Sequence, residues 1–201
     1  MSSMTDTAGL DQRIAARARE LRSAHALSLD ALAERSGVSR SMISLIERAE
    51  TSPTAVVLER LATGLGVTLA SLFDAPDSDA GVPAGPVARR DDQPVWRDPA
   101  SGYTRRNVSP SGVTQPMQIV EVHFPPRARV AFETSARDVR VDQQIWVLEG
   151  SIDVTLGAEC HRLRQGDCLA MRLDRPTMFH NPTRKAARYA VVIASDTHPR
   201  R

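Results

Sequence analysis

The sequence predicts an α + β protein of two domains, a bundle of five short helices followed by an all-β small barrel or jelly roll. Over residues 10–73 apolar residues recur at helical spacing with few prolines. From residue 87 onward they alternate or cluster in short runs between Pro, Gly and Asp, as strands do. Between the two lies APDSDAGVPAG (residues 75–85), rich in Pro, Gly, acidic and small residues and without periodicity, which reads as a linker. The expected division is a disordered start at 1–8, a helical domain at 9–74, the linker, a β domain at 86–196 and a basic tail at 197–201.

Each helix has its own local cause. Leu10, Ile14, Ala18, Leu21 and His25 share one face of a first helix, with Arg13, Arg17 and Glu20 on the others. Ser28 stands where an N-cap belongs, Asp30 occupies the first turn, and Leu29, Leu32 and Ala33 supply the buried stripe of a second helix that runs to about Ser36. Gly37 can take the left-handed conformation that stops it, Val38 plugs the turn, and Ser39 caps a third helix from Arg40 to about Arg48. Ile43 and Ile46 face inward there, leaving Arg40, Ser41, Ser44 and Arg48 on the other side. Ser52-Pro53 is the expected start of a fourth helix with Val57, Leu58, Leu61 and Leu65 inward and Gly64 and Gly66 loosening its end. Thr68 caps a short fifth helix through Phe73.

Composition bounds the function. With 201 residues, 41% hydrophobic and 25% charged, the chain has the balance of an ordinary globular protein, and Gly 11, Pro 13 and Cys 2 exclude a collagen-like or disulfide-stapled protein. No apolar run reaches the ~18 residues of a membrane span, and the Ser/Thr-rich start has no basic or apolar region of a secretion signal, so a cytoplasmic protein without a membrane partner is expected. Cys160 and Cys168 have neither Cys-x-x-Cys nor zinc-site spacing and read as reduced thiols. A net charge of +2 leaves the partner open, and residues 1–75 carry eight Arg against nine Asp and Glu. Lys185 is the sole lysine, so the basic residues are almost all Arg, whose planar fork suits phosphate and guanine.

Two short helices joined by a Gly-containing turn form the arrangement that lays one helix in a DNA major groove. A helix of ~10–12 Å diameter fits a groove ~12 Å wide when its outer face is short, polar and able to donate hydrogen bonds. Arg40, Ser41 and Ser44 meet that need, because Arg forks onto guanine O6 and N7 while small hydroxyls let the helix sit deep. The segment SLDALAERSGVSRSMISLIERAETSP resembles the phage-repressor-type helix-turn-helix of the XRE family, over residues 10–73. The resemblance implies base-reading positions at Ser39, Arg40, Ser41 and Ser44 with Leu45 beside them, and phosphate-facing positions at Ser28 and Arg48. It also implies a structural ion pair between Arg22 and Glu47. Leu29 stands where the family often has a Gln at the DNA edge, a departure that removes or moves one polar contact.

In the second domain, VARR, GYTRRNVS, MQIVEVHF, IWVLEG, SIDVTL, CHRL, DCLAMRL and RYAVVIA read as short strands. QQIWVLEGSIDVTL followed by LRQGDCLAMRLDRPTMFHN resembles the cupin barrel, a fold that often holds a metal on two His and a Glu from its first motif and a His from its second. Here the Glu position is Gln143, the first His positions fall near Arg137 and Val139, and the second-motif His position is Thr177, four before Asn181. No metal or other cofactor is expected. Arg137, Gln143, Trp146, Thr177 and Asn181 are the candidate lining of an effector pocket, with core packing an equal reading for Trp146. The alternative is a barrel that only dimerises.

Together the two resemblances imply a sequence-specific DNA-binding regulator. The expected protein is a repressor and homodimer that binds double-stranded DNA and responds to a small effector. The competing reading is a metal-free cupin epimerase or isomerase fused to a DNA-binding domain, with His123 or His180 as general base.

Overall fold

A computed structural model describes residues 3–74, 85–111, 116–133 and 140–195, with side chains from residue 9 onward. Four α-helices lead the chain: α1 (Ser3–Ala24), α2 (Leu29–Ser36), α3 (Arg40–Glu47) and α4 (Ala55–Leu65). The expected disordered start is helical from Ser3, because no proline interrupts residues 3–24 and Gly9 alone costs a helix only about 1 kcal/mol. α1 ends at Ala24, so His25 lies beyond its face and is exposed.

α2 and α3 follow their caps. The Ser28 Oγ accepts from the Ala31 N–H at 3.0 Å, Gly37 ends α2 at φ 66°, and the Ser39 Oγ accepts from the Met42 N–H at 3.3 Å. α4 begins later than the Ser52-Pro53 signal implies. The Ser52 hydroxyl donates to Asp11 instead, and Thr54 is the cap, its Oγ1 accepting from the Val57 N–H at 3.4 Å. The expected fifth helix is a 3-10 turn, Ala70–Phe73, because four residues close too few hydrogen bonds for an α-helix. Thr68 does cap it, its Oγ1 accepting from the Ser71 N–H at 3.2 Å.

Gly64 has a packing role rather than a loosening one. A Cβ built there would lie 2.8 Å from the Ser36 Cβ, so its absence is what lets α2 and α4 cross closely. Gly66, at φ 71°, ends the helix in the left-handed region.

Among the described residues, ten antiparallel strands make the second domain: β1 (Val95–Arg97), β2 (Thr104–Asn107), β3 (Met117–Phe124), β4 (Arg129–Phe132), β5 (Val141–Glu149), β6 (Ser151–Leu156), β7 (Glu159–Arg164), β8 (Cys168–Arg172), β9 (Thr177–His180) and β10 (Ala187–Ser195). They form a six-stranded sheet, β1-β2-β3-β10-β5-β8, facing a four-stranded one, β4-β9-β6-β7. VARR is not a strand. Val87 is exposed there and a charged 3-10 turn follows at Arg90–Asp92, whereas the edge strand forms at β1, where Trp96 is buried. β4, which the sequence pattern passed over, is short, with one buried residue, Val130.

The two domains are packed together. Asp98 of the barrel is buried and accepts from the Ala55 N–H at 3.0 Å, placing a carboxylate at the positive end of α4. Thr68 reaches Gln118 of β3 at 3.2 Å, and Arg60 of α4 pairs with Glu133 at 2.5 Å. The aromatic residues continue this join. Phe73 touches Trp96, and ring contacts then run through Tyr103, Phe124, Tyr189 and Phe179 to Phe132 with centroids 5.6–6.3 Å apart. Such pairs are worth ~0.5–1.5 kcal/mol each beyond area burial. Trp146 is the one aromatic residue outside this chain, 52% exposed on the outer face of the six-stranded sheet.

Candidate nucleic-acid interface and barrel cavity

α3 buries Ile43, Ile46 and Glu47 and turns Arg40 and Ser41 to solvent. Ser44, Leu45 and Leu29 are half-buried at the margin of that exposed face, and Ser28 and Ser39 are exposed at the adjacent N-termini of α2 and α3. The Arg40 guanidinium lies 3.2 Å from Asp30, joining the first turns of the two helices. Both partners are largely exposed, so this pair contributes little and can yield to a base or phosphate. The Ser39 and Ser41 hydroxyls are 3.2 Å apart and remain on the surface.

Arg48 is less free. Its guanidinium holds both oxygens of Glu50, at 2.7 and 2.9 Å, and donates to the Ser44 Oγ at 2.5 Å. This pairing holds the Glu50 carboxyl below its ordinary value. A phosphate at Arg48 must compete with that carboxylate.

Arg22 and Glu47 meet as a two-pronged pair. Arg22 Nε donates to Glu47 Oε1 at 2.7 Å and Nη2 to Oε2 at 2.9 Å, while Nη1 donates to the Leu27 carbonyl at 2.9 Å. The pair ties α3 to α1 and to the turn before α2. Because Glu47 is on the buried side of α3, it orients the exposed face without belonging to it. A further donor, Arg19, reaches the Glu47 carbonyl at 2.5 Å.

The barrel holds a cavity of about 70 Å³ that the helical domain lines on one side with Glu59, Thr68 and Leu69. Of the sequence-derived pocket residues, Gln143 and Thr177 line it, and Arg137 lies outside the described residues. Trp146 and Asn181 do not line it. Trp146 alternates with the inward Ile145 and Val147, so strand pleating turns it outward. Asn181 is fully buried in a loop, where its Nδ2 donates to the Phe124, Pro125 and Lys185 carbonyls and its Oδ1 accepts from Thr183. His123 and His180 also sit on outward positions of their strands. His123 is half exposed beside Glu121, and His180 alternates with the inward Thr177 and Phe179.

Among the cavity residues absent from the sequence-derived set is a buried cation. Arg105, on the inward face of β2, is 7% exposed, and its Nε and Nη2 have no hydrogen-bond partner. Its guanidinium lies over the Phe73 ring, 5.5 Å from the centroid, and interacts with the Tyr103 hydroxyl. Burial pushes Arg105 below its ordinary value and raises the Tyr103 hydroxyl to about 12. The alternation Tyr103, Arg105, Asn107 was the available signal, since the three share one face of the strand.

Comparison with known proteins bears on the family and the fold. A family described as "Helix-turn-helix domain" matches residues 13–73. The HTH-type transcriptional regulator SutR of Escherichia coli (strain K12) is 27% identical over 165 residues, 81% of this chain and 84% of that protein. The crystal structure of an HTH_3 family transcriptional regulator from Vibrio cholerae superposes with a TM-score of 0.73 at 26% identity, covering 96% of this chain and 99% of that one. A Cupin_2 domain of an XRE family transcriptional regulator from Enterobacter cloacae covers 49% of this chain and 98% of its own, at 15% identity and a TM-score of 0.42.

An exposed polar helix face on a helix-turn-helix scaffold, followed by a β barrel, defines a DNA-binding transcriptional regulator. The family match covers the helix-turn-helix part, residues 13–73, and the likeness to transcriptional regulators extends over most of the chain.

Proposed function

We propose that this regulator is an effector-responsive repressor, acting in the cytoplasm as a homodimer whose two copies of α3 read half-sites one helical turn, ~34 Å, apart. Ser39, Arg40, Ser41 and Ser44 read bases with Leu45 and Leu29 beside them, and Ser28 and Arg48 meet phosphates. The observation that carries this reading is the exposed first turn of α3, with Arg40 and Ser41 uncovered by the protein's own chain. A domain with almost no net charge supplies little non-specific attraction, which favours combining two half-sites.

The second copy is assigned to the outer face of the six-stranded sheet. Trp146, Met117 and Ile119 are 52%, 56% and 42% exposed there, and β10 places Ala190 opposite Trp146 and Val192 opposite Ile119. Such an apolar face is what a partner normally covers. The barrel then serves as sensor rather than catalyst. In support, Gln143 and Thr177 replace metal-ligand residue types, among the described residues no three His, Cys, Asp or Glu converge as a metal site, and His123 and His180 point away from the cavity.

Sedimentation of the protein with its selected operator tests the reading. Two chains per operator, reduced to monomers by Trp146→Glu, is the expected result; tight operator binding by monomeric wild type contradicts it.

A further inference from the structure

The cavity combines apolar walls with a buried cation that, among the described residues, has no carboxylate bonded to it. Val122, Val191 and Ile193 give it an aliphatic lining, and Arg105 lines it too, with its Nε and Nη2 buried and unpaired. An unsatisfied buried guanidinium is costly, and a fold tolerates it where a ligand completes it. The surrounding acids do not do so. Asp74 acts on Arg105 through space without a hydrogen bond, its own side chain being held by Gln118 at 3.4 Å, and Glu133 is engaged by Arg60. Glu59 lines the same cavity from α4.

We propose that the cavity binds a small monocarboxylate with an apolar body, its carboxylate held by Nε and Nη2 of Arg105 and its body against the aliphatic walls. The assignment rests on the sensor reading of the barrel and gives it a ligand class and an anchoring residue. Guanidinium and carboxylate match as a fork, two parallel hydrogen bonds in one plane, which a single buried Arg with two adjacent free donors can offer. A cavity of about 70 Å³ holds roughly five to seven water-sized groups, the scale of a branched short-chain acid. Occupancy reaches the helical domain directly, because the same guanidinium lies on Phe73, the last residue of the turn that ends that domain. Drawing Arg105 toward a carboxylate shifts its contact with that ring and with it the seat of the helical bundle.

The test uses full-length wild type and Arg105→Met with three probes, acetate, isovalerate and benzoate, each against its neutral amide. Calorimetry on wild type should show at least one carboxylate binding more tightly than its amide, and Arg105→Met should weaken that binding about 10- to 100-fold, the worth of hydrogen bonds to a charged group. Arg105→Met should melt no lower than wild type, since it removes an unpaired buried charge; a lower melting temperature assigns Arg105 to the scaffold and overturns the proposal. Equal affinity for acids and amides, or no binding by any probe, also overturns it. Operator affinity measured with and without the bound acid separates the two readings. Binding without an effect on the operator removes the sensor role and leaves the site, whereas intact operator binding with no acid bound removes the site alone.

Discussion

Arg22 grips both carboxylate oxygens of Glu47, so α3, the helix proposed to meet DNA, is fixed to the first helix by a pair set apart from its exposed face. Removing one side leaves the other charge buried or half-buried without its partner. Glu47→Ala is expected to cost ~3–5 kcal/mol in chemical denaturation, the range for breaking a buried pair. A loss under ~1 kcal/mol would place the pair among surface contacts.

Arg40 and Arg48 should separate specificity from attraction. Arg40→Ala is expected to weaken specific binding by ~1–3 kcal/mol and relax the preference at one base position. Arg48→Ala should lower affinity evenly across sequences and reduce the salt slope by about one. Because Glu50 already occupies Arg48, Glu50→Gln should raise affinity for all duplexes. Fluorescence anisotropy on operator and scrambled duplexes over a salt series reads all three.

Gly64→Ala gains helix propensity but places a methyl 2.8 Å from the Ser36 Cβ and 3.1 Å from its backbone. Backbone cannot step aside as a flexible side-chain end can. A net loss of ~1–3 kcal/mol is expected, as for overpacking, and a gain in melting temperature would mean that the helices separate without cost.

Asp74 gives the domain junction a pH dependence. Burial raises its carboxyl to about 6 from an ordinary 3.8, against the opposing pull of Arg17, Gln118 and Arg105. A carboxyl with a raised folded-state value stabilises the fold most below its unfolded value, and that contribution is lost as pH rises through about 6. Asp74→Asn should therefore match wild type near pH 4 and exceed it in stability at neutral pH by about 1–3 kcal/mol, read from unfolding at each pH. A difference independent of pH would show that Asp74 does not titrate in this window.

The helical half was legible because its signals are local. Ser28, Gly37 and Ser39 announce caps through their own chemistry, and these fell at the ends of α2 and α3. Where a distant partner decided, the sequence misled. Ser52 looks like a cap until Asp11 takes its hydroxyl, and α4 begins where Asp98, 43 residues onward, receives the Ala55 N–H. Asn181 and Trp146 were placed in the pocket by spacing within a motif, whereas loop hydrogen bonding and strand pleating put them elsewhere. Arg105 was overlooked because a charged residue in a short strand reads as surface, whereas here it lies against Phe73 of the opposing domain.

Selection of bound sequences from a random duplex pool, run in parallel for wild type and Arg40→Ala, tests the reading role of α3 most directly. Wild type should enrich a motif with two related half-sites, and Arg40→Ala should lose preference at one equivalent position in each half. An unchanged motif, or none for wild type, would contradict it.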